Sequence, residues 1–132
     1  HGDYDGWVLK LDLNGNVLWK KTLGGTRSEY GSIAIECLDG SYLVGIGSTS
    51  NDGDVTSLYN NSFQDAWLVK LDKNGNVTWK KTLGGSSHDG LSPFIQRADS
   101  SFVLAGSSHS NDGDLRGNHG ESDAWVFTLK AQ

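Results

Sequence analysis

From Asp65 the chain alternates: Trp67, Val69 and Leu71 fall on one side and Leu68 and Lys70 on the other. A period of two marks a β-strand with one face more apolar than the other. Lys73-Asn74-Gly75-Asn76 interrupts the pattern, and Asn-Gly between alternating segments is a strong hairpin signal, because a type I′ turn needs positive φ. The return strand, Val77-Thr78-Trp79-Lys80-Lys81-Thr82-Leu83, is expected to carry Val77, Trp79 and Leu83 on one face, and Gly84-Gly85 ends it. A further strand is expected over Ser32–Cys37, turning at Leu38-Asp39-Gly40 into Tyr42–Gly47. That last run is almost continuously apolar, as in a strand buried on both faces. The stretch from Ser48 to Gln64 is polar and reads as a long loop. No window shows a helical period.

The pattern then repeats. Asp5–Gly25 and Asp65–Gly85 are identical at 16 of 21 positions, and the offset of 60 runs on through Ile35/Ile95, Asp39/Asp99 and Ser41/Ser101. It closes in Asn51-Asp52-Gly53-Asp54, matched by Asn111-Asp112-Gly113-Asp114. A third copy starts at Asp123-Ala124-Trp125, and His1-Gly2 aligns with His119-Gly120. The chain is therefore read as one segment, 1–132: repeat one over 1–60, repeat two over 61–118, and a partial third over 119–132. Leu129-Lys130-Ala131-Gln132 departs from the repeat and reads as an end.

Four short strands per repeat of about 60 residues is the signature of β-propeller blades, each a four-stranded antiparallel sheet. The expected fold class is all-β: about two blades plus one extra strand. Nine strands are expected, two at the start, four in a full blade and three at the end.

Composition narrows the function classes. Eighteen glycines, one proline and no methionine oppose a helical protein, where each interior glycine costs about 1 kcal/mol. A net charge of −5 argues against nucleic acid, which demands a basic face. No apolar run approaches the roughly 20 residues of a membrane-spanning helix, so no membrane insertion is expected. The lone Cys37 has no partner for a disulfide or a zinc site.

The segment Leu-Asp-x-Asn-Gly-Asn-Val-x-Trp-Lys-Lys-Thr-Leu-Gly-Gly, present in both repeats, resembles a bacterial and archaeal surface β-propeller repeat family. It is also similar to the quinoprotein-type propeller repeat, in which a Leu-Asp-x-x-x-Gly-x-x-x-Trp hairpin ends each blade. The resemblance implies that Trp19 and Trp79 pack between neighbouring blades. It also implies a secreted or surface-attached interaction module.

Candidate chemistry is sparse. Trp7, Trp67 and Trp125 occupy one repeat position and are the candidate ligand-stacking residues, although recurrence at a fixed strand position favours packing. Asp52, Asp54, Asp112 and Asp114 are candidate calcium ligands, since calcium takes six to eight oxygens from irregular loops. Glu121 and Asp123 thicken the second of these acidic sets. Asn-Asp-Gly-Asp turns also form for purely conformational reasons, and Asp5, Asp65 and Asp123 read as turn or strand-start residues. Ser87-His88-Asp89 holds the letters of a catalytic triad, but neighbours in sequence cannot point at one another as a triad needs. Asn60-Asn61-Ser62 and Asn76-Val77-Thr78 match glycosylation acceptors, which matters only in a secreted eukaryotic protein. No cofactor is expected apart from calcium. The first functional reading is a non-enzymatic, extracellular or surface module that binds a protein or glycan and associates with itself or with the remaining blades of a longer chain. The alternatives are a propeller lectin with sites at blade junctions and a fragment of a quinoprotein-type enzyme.

Overall fold

A computed structural model describes residues 1–56, 58–59 and 63–130. Asn60, Asn61 and Ser62, one of the two glycosylation matches, lie outside the described residues, as do Ala131 and Gln132. The protein is all-β, with no helix among the described residues. Among the described residues ten strands form three antiparallel sheets: β1 (Gly6–Leu11), β2 (Val17–Leu23), β3 (Glu29–Glu36), β4 (Tyr42–Ser48), β5 (Asp65–Leu71), β6 (Val77–Leu83), β7 (Asp89–Leu91), β8 (Ile95–Gln96), β9 (Phe102–Ser108) and β10 (Asp123–Leu129). The first sheet is the hairpin β1-β2, and the middle sheet runs β3-β4-β5-β6. In the third sheet β9 pairs with β10 on one side and with β7 and β8 on the other. The middle sheet thus takes its first two strands from repeat one and its last two from repeat two.

One strand more is present than the sequence pattern implies. Repeat one has a continuous β3, whereas repeat two breaks the equivalent strand into β7 and β8 at Ser92-Pro93-Phe94. Proline has no N–H to give to the ladder. The break turns Phe94 inward, where it is buried among Cys37, Leu43 and Leu104.

The two hairpins are built alike. Trp7 faces Thr22 and Trp67 faces Thr82, and both ladders slip by one residue near the turn, between Lys10 and Leu11 and between Lys70 and Leu71. That bulge overturns one expectation. Val77 does not share a face with Trp79 and Leu83; it packs toward the first sheet, while they pack toward the third. Each turn is fastened by an aspartate. Asp72 Oδ1 accepts from the N–H of Asn74 at 2.8 Å and of Asn76 at 2.9 Å, and its Oδ2 accepts from the Asn76 amide at 2.9 Å. Asp12 does the same with Asn14 and Asn16. In these turns positive φ falls on Gly15 and Gly75 alone, 85° and 83°, so they are type I turns closed by a glycine bulge and not the expected type I′, which needs two such residues. These hydrogen bonds, the Asn side chain first, hold both aspartates below the usual carboxylate range. A carboxylate lowered by folding stabilises above its unfolded pKa, near 4, and loses that effect as pH falls through the lowered value. Asp72→Ala is therefore expected to speed amide exchange at Asn74 and Asn76 at neutral pH, with little further change in acid; unchanged exchange at neutral pH would refute the lock.

Two apolar layers join the sheets. Val8 and Leu23 of the first sheet meet Val44, Ile46, Trp67 and Val69 of the middle one. Leu43, Ala66, Leu68 and Leu83 of the middle sheet meet Phe94, Phe102 and Leu104 of the third. Because the middle sheet is covered on both sides, β5 is buried along its whole length rather than on alternate residues. Even Lys70 is buried there, its Nζ 3.1 Å from Cys37 Sγ and 5.2 Å from the centre of the Phe102 ring. The polar loop after β4 also contributes to the core, since Val55 is fully buried and Leu58 nearly so.

Candidate functional site

The one tryptophan position takes three environments. Trp67 is fully buried between the first and middle sheets, and Trp125 is half-buried against the middle sheet in a stack with Phe127, ring centres 5.0 Å apart. Trp7 lies 61% exposed on the outer face of the first sheet, beside Leu9, Leu11 and Leu18. Neither Trp67 Nε1 nor Trp125 Nε1 has a hydrogen-bond partner, so packing alone orients both rings. Trp67 is therefore a core residue, out of reach of any ligand. The hairpin tryptophans sit between sheets: Trp19 packs edge-on to Tyr42 at 5.4 Å and donates to the Lys73 carbonyl at 3.1 Å, while Trp79 packs toward the third sheet.

A cavity of about 700 Å³ opens beside Trp125. Leu83, Trp125 and Phe127 give it an apolar floor, and Asp114, Arg116 and Asn118 line its rim. Aromatic area with a few convergent polar groups is the usual make-up of a small-molecule site. The free long edge of β10 borders the same space.

The acidic loops serve the backbone. Asp52 accepts from the Thr26 N–H and hydroxyl, both at 2.7 Å, and Asp112 accepts from the Ser86 N–H at 2.7 Å. The Thr26 hydroxyl and N–H hold Asp52 below the usual carboxylate range. The N–H groups of Asp54 and Asp114 donate to the carbonyls of Gly24 and Gly84, at 2.9 and 3.0 Å. Burial, with Asp114 alongside, pushes the Tyr59 hydroxyl up. Among the described residues no three His, Cys, Asp or Glu side chains converge as a metal site requires. Asp123 is engaged by His119, whose N–H donates to its Oδ2 at 2.6 Å. His88 is exposed against Phe63, whereas Asp89 is fully buried, so the triad letters point apart.

Each Gly-Gly corner holds a pair of acids that the sequence pattern did not single out as a unit. At the second corner Asp65 is fully buried; its Oδ2 accepts from the Tyr59 N–H at 3.0 Å, and its Oδ1 has no partner. Asp89 lies across Gly84 from it, accepting from the Gly85 N–H at 2.7 Å and from the hydroxyls of Ser108 and Ser110. Burial first, then the charges of Asp89, Asp114 and Asp112, push Asp65 up to about 7. The first corner repeats the plan with Asp5 and Glu29, Glu29 accepting from Gly25 and Ser48. Asp5 Oδ1 is likewise buried without a partner, but its Oδ2 meets the terminal ammonium of His1. The usable signal was an acid five residues after each first glycine, at the same offset of 60 as the acid before each tryptophan.

Neither the family models nor the curated proteins compared with this chain match it.

Proposed function

We propose that the chain is part of a β-propeller acting as a non-enzymatic interaction module, extracellular or at the cell surface, with a protein or glycan partner. The supporting observation is the graded cover of one tryptophan position: Trp67 enclosed, Trp125 half-covered, Trp7 open. Repeat architectures bury such faces by stacking the next unit on them. Propellers close with about four to eight blades, so further sheets belong on the outer faces, supplied by a longer chain or by other copies. Light scattering coupled to gel filtration tests this. Self-association that Trp7→Glu abolishes, with the strand content intact, is the expected result. A cooperatively melting wild-type monomer would overturn it.

The cavity beside Trp125 favours a glycan within that reading. Sugars stack on aromatic rings and hydrogen-bond to rim groups such as Asp114 and Asn118. Binding on a glycan array that is lost in Trp125→Ala supports the lectin form; a silent array leaves the protein partner.

A further inference from the structure

The second Gly-Gly corner brings two acids together on either side of Gly84. A Cβ placed on Gly84 would lie 2.5 Å from Asp65 Oδ1 and 3.0 Å from Asp89 Oδ2, so these oxygens are no farther apart than the sum of those distances. Only glycine leaves this approach open. Asp65 is fully buried and Oδ1 is unpartnered, a costly arrangement for a charged carboxylate and an ordinary one for a carboxyl that donates.

We propose that Asp65 keeps its proton beside Asp89 across Gly84, making the corner between the middle and third sheets a pH-sensitive clasp that holds while the proton is bound and loosens when it leaves. Every element packed on Asp65 agrees in sign. Asp89 stands on β7, Asp112 and Asp114 stand on the loop after β9, and all three bear on Asp65 as like charges. From the described residues of the loop before β5 comes the Tyr59 N–H, on the other oxygen. Gly85, Ser108 and Ser110 all donate to Asp89, which places the retained proton on Asp65. Those three bonds also tell against a cation: they leave Asp89 about one lone pair, whereas calcium needs six to eight oxygens. The upward displacement of Asp65 to about 7 fits the same assignment. The first corner is not equivalent, since the His1 ammonium supplies Asp5 with a positive partner. The inference holds whatever covers the outer faces of the sheets.

Folding raises the Asp65 pKa, so the folded state binds the extra proton. Its stabilisation is complete below about pH 4 and is lost as pH rises through about 7. Melting curves from about pH 5 to about pH 9 should show a midpoint that drops by several degrees across neutrality. Asp65→Asn, a permanent neutral donor, should flatten that drop, and Asp89→Asn, which removes the neighbouring charge but not the burial, should move it to lower pH. Carboxyl-carbon NMR of the wild-type protein gives the readout that does not depend on a variant folding. An Asp65 resonance titrating near neutrality supports the retained proton; one titrating in the ordinary range near pH 4 overturns it. Calcium chloride that raises the wild-type midpoint at alkaline pH, but not that of Asp65→Asn, would also overturn it, assigning the corner to a cation.

Discussion

Trp67→Ala should cost about 3–5 kcal/mol, a large share of the roughly 5–15 kcal/mol that holds a domain folded. Trp67 is the largest fully buried side chain, and it fills the layer between the first and middle sheets with Val8, Leu23, Val44 and Ile46. No neighbour can collapse into the gap easily, because β5 is paired on both edges and its backbone is fixed by β4 and β6. Trp7→Ala is the control. The same residue at the same repeat position, 61% exposed, should change the midpoint of urea unfolding little at protein concentrations too low for self-association. Equal effects for the two would refute the assignment of Trp67 to the core.

Gly85→Ala is the second substitution with a large expected effect, about 1–3 kcal/mol from overpacking. A Cβ there would lie 2.5 Å from Asp112 Oδ1, 2.6 Å from Ser110 Cβ and 2.8 Å from the Asp112 carbonyl. Backbone and side chain both block it, and relief by moving Asp112 would break its bond to the Ser86 N–H. Gly25 is hemmed in by Ser50 and Asp52 in the same way, so Gly25→Ala should behave alike. Urea unfolding of both variants is the check; wild-type midpoints would show that the corner is loose. Gly120, with open space around it, is the harmless comparison.

The all-β class and the hairpins were legible because their signals are local. Asp72-Lys73-Asn74-Gly75-Asn76 carries its own fastening, acceptor and donors within five residues. The buried strand β4 was legible over Tyr42–Gly47 from its almost continuous apolar run. What escaped depends on neighbours distant in sequence. Lys70 looked like the solvent face of β5, yet the third sheet covers it and Cys37 and Phe102 receive its ammonium. Val55 and Leu58 stand singly in a polar loop, and two isolated apolar residues make no period. The bulge that separates Val77 from Trp79 moves one residue to the other face, which no alternation pattern anticipates. At the candidate site, the loop aspartates were visible as oxygen donors, but their direction was not. Asp52 and Asp112, though exposed, turn to the backbone N–H groups of Thr26 and Ser86, leaving Asp65 and Asp89, read singly as a strand start and a chance triad letter, as the unusual pair.

The break at Pro93 also bears on how the protein behaves in a crowded solution. An uninterrupted outer strand displays a row of free N–H and C=O groups that can template a stray chain. On the third sheet that edge is divided into β7, three residues long, and β8, two residues long, with a proline between them. On the middle sheet the equivalent edge, β3, is bent by a register slip between Tyr30 and Ser32, where Gly31 adopts a φ of 52°. Two unrelated devices, a missing donor in one repeat and a kink in the other, thus spoil the same edge as a seed for cross-β growth, and strand exchange is steered away from this side of the molecule.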